Sequence, residues 1–189
     1  MANNDTYVEQ LVKKTITSKE KLGKVLTIVL CVFAILFVNI VPLLFGIVYL
    51  FILTGVLSFG IGFLTYRSVT NLNKEYEYSV VNDSFSVDII KGKTRRSSLF
   101  TGSIRDFEMV AKLKDERHPI SEFDKPEYLR AQCVSGDAKE NEWYIATKMG
   151  EHKVLLTIEP EEKILKAFFR YNPRNVMYRP GVNAIKKEK

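Results

Sequence analysis

"VLTIVLCVFAILFVNIVPLLFGIVYLFILTGVLSFGIGFLTY", residues 25–66, carries no charged side chain, and its division decides the fold. A helix crosses the hydrocarbon core of a bilayer with about 20 residues. One helix through all 42 residues would be about 63 Å long, roughly twice what a bilayer needs. Two spans fit. Asn39 is the only amide in the stretch, and Pro42 disfavours helix at Val41 before it. The sequence therefore predicts spans at about 22–40 and 43–66, joined by a tight turn. A cleaved leader would have a far shorter apolar core nearer the N-terminus.

Charge on either side sets the expected orientation. Lys13, Lys14, Lys19, Lys21 and Lys24 precede the first span, and Arg67 and Lys74 follow the second. Cytoplasmic flanks are enriched in Lys and Arg. The sequence thus predicts a multi-pass protein of the cell membrane with N- and C-termini cytoplasmic. No ionisable group lies in the spans, so nothing points to a proton relay or ion path. Small residues recur at helical spacing: Thr54, Ser58 and Gly62 in the second span, Thr27, Cys31 and Ala34 in the first. Small faces let helices approach closely in lipid. These two are expected to meet within the hairpin, and the same faces would suit a partner helix or a homo-oligomer.

Upstream, residues 1–21 read as a cytoplasmic segment. "TSKE" at residues 17–20 fits a capping box, with Thr17 as cap and Glu20 three residues on. Tyr7, Val8, Leu11 and Val12 fall on one face of a short amphipathic helix.

Beyond Arg67 the period changes from helical to alternating. "EYEYSVV", "FSVDII" and "TRRSSLF" read as strands separated by "NDS" and "KGK". "IRDFEMVAKL" alternates but switches its apolar face midway, which suggests a bulge. A polar loop spans 114–127. "YLRAQCVS", "EWYIATKM" and "KVLLTIE" give three more strands, separated by "GDAKEN" and "GEH". "PEEKILKAFFRY" is an amphipathic helix: Pro160 and two acids open it, and Ile164, Leu165, Phe168 and Phe169 form its apolar face. Residues 173–189 read as a basic, flexible tail.

Seven antiparallel strands in an open barrel, closed at one end by a C-terminal helix, resemble the pleckstrin-homology-like (PH-like) fold. With the hairpin in front, and with "YVEQLVKK" and "IEPEEKILKAFF" at either end, the chain resembles a family of small bacterial two-span membrane proteins. Their cytoplasmic part is a bacterial PH-like domain. The resemblance covers about residues 5–172. It implies a fold over 67–172 and a membrane address, and it carries over no functional residue.

The candidate contact surface is "DIIKGKTRRSS", residues 88–98, with Lys91, Lys93, Arg95 and Arg96. The first strand leaves the membrane and the second returns, so the "KGK" turn is expected to face the bilayer. Anionic head groups contribute about 1 kcal/mol per nearby Lys or Arg, so four give at most roughly 4 kcal/mol. Two features oppose this reading. Arg95 and Arg96 are strand neighbours and point to opposite faces. The 114–127 loop, on the same side by parity, holds five acids against three basic residues.

Other classes fare worse. The chain carries +6 overall, but residues 67–189 carry only 23 basic against 19 acidic residues, an ordinary solvated surface rather than a nucleic-acid face. Cys31 and Cys133 form no disulfide or metal pattern. His118 and His152 belong to no catalytic motif. No cofactor, metal site or enzymatic activity is expected. The function that remains is a non-enzymatic, membrane-anchored module binding a protein partner or anionic lipid head groups at the cytoplasmic face. The alternative is an accessory subunit of a membrane complex or transporter, acting through its hairpin.

Overall fold

The computed structural model describes residues 6–136 and 140–180. These form two compact units: residues 16–74 with 91–94, and the rest. The sequence's N-terminal first four residues, part of the "GDAKEN" connection and the tail from 181 lie outside the described residues, as does Asp5.

In the first unit, α1 runs Ser18–Phe45 and α2 runs Leu50–Thr70. At ~1.5 Å per residue their 28 and 21 residues span about 42 and 32 Å, each enough for the roughly 30 Å hydrocarbon core. Both are long and apolar enough to cross a membrane. The capping box that opens α1 is in place: the Thr17 N–H donates to Glu20 Oε2 at 2.9 Å.

The turn between them is not where Asn39 and Pro42 place it. Helix α1 continues through Pro42 and stops at Gly46, whose φ of +64° is the left-handed conformation that glycine tolerates best. The Gly46 N–H donates to Leu43 O and the Ile47 N–H to Pro42 O, at 3.4 and 3.0 Å, the paired bonds of a Schellman cap. Proline is tolerated inside apolar spans because neighbouring groups re-satisfy the backbone. Asn39 is no turn residue either. Its Nδ2 donates to Ile35 O and, across the hairpin, to Ser58 Oγ, both at 2.8 Å.

Among the described residues the second unit has eight strands in two four-stranded sheets, not seven in one open barrel. The additional strand is β1, Tyr7–Lys13, where the sequence suggests a helix. It pairs antiparallel with β2, Lys74–Val81, from Tyr7 opposite Val81 to Lys13 opposite Glu75. Val8, Gln10 and Val12 turn inward, so the true period is two. The first sheet continues with β3, Ser84–Lys91, and β4, Arg95–Ser103, in consecutive order. The apolar switch in "IRDFEMVAKL" is not a bulge. A 3-10 turn at Ile104–Asp106, capped by Ser103 Oγ accepting from the Arg105 N–H, carries the chain between sheets.

The second sheet has the order β5 (Met109–Lys112), β7 (Trp143–Met149), β8 (His152–Ile158), β6 (Tyr128–Cys133). The strands are not all antiparallel: β6 and β8 run parallel, Tyr128 opposite Lys153 through Cys133 opposite Ile158. Helix α3, Glu162–Tyr171, closes the core. Its Phe168, fully buried, meets Phe85 and Phe107 edge-on at 4.9 and 5.5 Å, a geometry that favours aromatic pairs.

Residues after α3 also pack, against the expectation of a loose tail. Asn172 is buried and donates to Ile104 O and Phe107 O, each at 3.0 Å. Val176 and Tyr178 are buried, and Val176 bridges to Val110 of β5. Alternating inward side chains beside an open strand edge account for this: the edge needs backbone partners and the core takes the two apolar residues.

Candidate functional site

β1 and β2 pair across the whole intervening hairpin. Lys13 and Glu75 share one register position, so the chain that leaves β1 returns to the same place 62 residues later. The hairpin is thus an insertion in the first β-connection of the domain, and β1 belongs to that domain rather than to a separate N-terminal segment. Gln10 fastens this strand. Buried on β1, it donates through Nε2 to Glu159 O and accepts at Oε1 from the Glu161 N–H, both at 2.7 Å. Its amide thereby holds the two backbone groups flanking Pro160, just ahead of α3.

The basic turn Lys91–Thr94 groups with the hairpin rather than with the strands it joins. The Thr94 N–H donates to Lys91 O at 3.3 Å, and Gly92 and Lys93 both have positive φ, +60° and +64°, as a two-residue I′ turn requires. The Gly92 N–H donates to Asn73 O at 2.9 Å. A Cβ on Gly92 would lie 3.0 Å from Thr70 Cγ2, so a larger residue would be both strained and crowded. The turn therefore packs against the C-terminal end of α2, where Arg67 and Lys74 also lie.

The four basic side chains are not equivalent. Lys91, Lys93 and Arg95 are exposed. Arg96 is held by two carboxylates, Glu77 and, at 3.4 Å, Asp88. The hydrogen bond and charge of Glu77 push its guanidinium pKa up. The opposed directions of Arg95 and Arg96 thus separate a side chain free for an outside partner from one committed to its own sheet.

In the hairpin, Thr54 is buried and Ser58 half-buried, with Ser58 Oγ accepting from Asn39. At Gly62 an added Cβ would meet nothing within 4 Å, so the helices do not approach closely there. Cys31 and Ala34 are half-buried, but Thr27 is exposed and bonds its own helix, to Gly23 O at 2.8 Å. The polar link between Asn39 and Ser58 carries the contact that small-residue spacing assigns to the Thr27 end.

The 114–127 loop is built on aromatic packing. Phe123 packs on Tyr128 and Tyr144, at 6.1 and 6.0 Å between ring centroids, and the buried Tyr144 hydroxyl donates to His118 O at 3.0 Å. Two of its acids are paired, Asp124 with Arg130 at 2.9 Å and Glu127 with Lys153 at 2.8 Å. The Lys153 ammonium pulls the Glu127 carboxyl pKa down. Burial pushes the Cys133 thiol up to about 12 and raises the Tyr78 phenol, which donates to Cys133 O. Neither is poised for chemistry near neutral pH.

No curated protein and no solved structure matches the chain. Residues 4–178, from before β1 to Tyr178, match the family described as bacterial PH-like domain (DUF6106), with the apolar hairpin inside the matched range. Two sheets and a capping helix, interrupted after the first strand by two long apolar helices, make this chain a member of that bacterial PH-like family.

Proposed function

We propose that the protein is a non-enzymatic PH-like module, anchored in the cell membrane by two spans, whose basic turn contacts anionic head groups at the cytoplasmic face. The observation that carries this reading is the packing of Lys91–Thr94 on the C-terminal end of α2. A turn fixed to the end of a membrane span sits at head-group depth. Three unpaired basic side chains, Lys91, Lys93 and Arg95, extend from it. At about 1 kcal/mol each they contribute roughly 3 kcal/mol. Because the spans already anchor the chain, that energy orients the domain rather than recruiting it.

Pairing of Lys13 with Glu75 supports the proposed topology. A segment that begins and ends at one point of one sheet crosses a bilayer an even number of times. The basic flanks support a cytoplasmic side for both termini. A protein partner bound to the same oriented domain is the second form of this function. The accessory-subunit alternative would use the outward apolar faces of the hairpin, because Thr54 and Ser58 are turned into it.

The test uses the full chain in nanodiscs. A spin label is placed at Thr94→Cys, with Cys31 and Cys133 replaced by alanine. Discs containing phosphatidylglycerol should slow the label relative to pure phosphatidylcholine discs. Salt should reverse the effect, since exposed charges are screened within about 10 Å at 0.1 M. Changing Lys91, Lys93 and Arg95 together to serine should abolish it. Identical mobility in both lipids at low salt would remove lipid contact from the function.

A further inference from the structure

A second basic surface lies in the β domain, away from the sequence motif. The segment after β5, residues 112–118, and the segment after α3, residues 173–179, enclose a two-lobed cleft of about 280 and 410 Å³. Arg117, Arg179, Asp115 and Met177 line both lobes, which makes them one continuous site. Arg174 belongs to the smaller lobe, and Lys112 and Lys114 to the larger.

Its charge is one-sided. Five basic residues face two acids, Asp115 and Glu116. Asp115 is partly committed, its Oδ1 accepting from the Arg117 N–H at 3.0 Å. Arg117, Arg174 and Arg179 are exposed at the rim. Such a concentration of like charge is self-repelling unless an anion joins it. The floor is apolar and aromatic: Met177 and the buried Tyr178 and Trp143, with Lys112 Nζ 5.9 Å from the Trp143 ring centroid.

Size and backbone pairing narrow the occupant. The lobes have the dimensions of a small-molecule site. A peptide would need an open strand edge here, and β5 offers none. One side pairs with β7. The other is taken by the chain itself, with the Val110 N–H donating to Asn175 O and the Met177 N–H to Val110 O, both at 2.8 Å. Planar guanidinium forks match phosphate oxygens better than they match a point charge. We propose that this cleft binds a phosphate monoester with an apolar or aromatic body. Arg117, Arg174 and Arg179 hold the phosphate, and the body lies on Met177 and Trp143. This site is separate from the basic turn and does not depend on it.

Trp143 is the only tryptophan of the chain, so it reports on its own cleft. Phenyl phosphate is titrated into the full-length protein in phosphatidylcholine nanodiscs at low salt, with phenol and inorganic phosphate as comparison probes. Phenyl phosphate should change Trp143 fluorescence saturably, inorganic phosphate should bind about tenfold more weakly, and phenol should do nothing. Arg117→Gln and Arg179→Gln should each weaken phenyl phosphate about tenfold or more. Arg179→Lys should fall between, because it keeps charge without the fork. Arg130→Gln, which removes a pair with Asp124, should bind as the parent does. The arginines are exposed, so these variants should melt with the parent. Arg174→Gln replaces any that does not. Phosphatidic acid in the discs distinguishes the source: competition with the probe points to a lipid head group, and its absence to a free organophosphate. Lack of a saturable signal, parental affinity in the Arg117→Gln, Arg179→Gln double variant, or tighter binding of a Glu- and Phe-containing peptide would each overturn the proposal.

Discussion

The hairpin and the β domain place their apolar side chains in opposite ways. In α1 and α2 the large ones face outward: Ile52 is 79% exposed and Phe59 77%. Pro42 and Thr54 are the helices' buried residues. In the β domain Phe85, Phe100, Phe107 and Phe168 are 0–1% exposed, and among the described residues Glu159 alone of the charged side chains is buried. With the hairpin in the membrane, as we propose, the two units obey one rule in two solvents. Water drives apolar surface inward. Lipid gives it no such drive and leaves packing and a few polar links to join the helices. Equivalent substitutions should therefore have very unequal effects in the two units.

The largest contrast lies between two phenylalanines. Phe168→Ala removes a ring packed on Phe85 and Phe107 and should cost about 3–5 kcal/mol. That is much of the roughly 5–15 kcal/mol available to a domain. Phe59→Ala trims an outward side chain and should leave the melting of the β domain unchanged. Chemical denaturation of the full chain in detergent, followed by Trp143 fluorescence, compares them. Equal losses would erase the distinction between the units.

Alkaline pH should act on the β domain. Cys133 stays neutral in the folded state until about pH 12, whereas an unfolded cysteine ionises near 8.5. Tyr144 is raised likewise, to about 12. Between those values the unfolded state binds fewer protons than the folded one, so stability falls as pH rises. For Cys133 alone the loss is roughly 3 kcal/mol by pH 11, at about 1.4 kcal/mol per pH unit. Denaturation midpoints at pH 8, 9.5 and 11 should decline, and Cys133→Ala should flatten the decline. A constant midpoint would show that burial does not hold the thiol neutral.

Gln10→Ala breaks both hydrogen bonds at the β8–α3 junction and takes the partner from the buried Glu159 carbonyl and from the part-buried Glu161 N–H. It should cost about 2 kcal/mol and speed hydrogen exchange in β1. Smallest is the link inside the hairpin. Asn39→Leu should cost about 0.6 kcal/mol, the usual worth of an interhelical hydrogen bond in lipid, and Gly62→Leu should cost nothing measurable, because that position opens onto free space. Helix separation read from paired spin labels tests both. A wider hairpin in Gly62→Leu would mean closer packing at that end.

Legibility in the sequence followed the clarity of the period. β2, β3 and α3 alternate or repeat without interruption, and their bounds follow from "EYEYSVV", "FSVDII" and "KILKAFF". β1 did not read correctly, because seven residues hold barely two helical turns. The inward Gln10 also hides the alternation of Val8 and Val12. An amide at a core position is the signal of a buried backbone clamp. Its partners at 159 and 161 are 149 and 151 residues away. Pro42 misplaced the turn, since a proline counts as a breaker in water but not in an apolar span. Gly46 was the better marker. The parallel pairing of β6 with β8 leaves no local trace. The basic turn was visible as a run of charge, but the commitment of Arg96 to Glu77 and Asp88 depends on strands folded beside it. The cleft of Arg117, Arg174 and Arg179 joins segments some 60 residues apart, and no local pattern announces it.

β1 and β2 close one sheet across a hairpin that we propose crosses the membrane twice. Single cysteines at Lys19→Cys before the hairpin, Val48→Cys in its turn and Ser97→Cys in β4 test it directly, with Cys31 and Cys133 replaced by alanine. All three positions are exposed. In intact bacterial cells a membrane-impermeant maleimide should label Val48→Cys alone, and permeabilised cells should label all three. Labelling of Lys19→Cys or Ser97→Cys in intact cells, or protection of Val48→Cys there, would contradict the account.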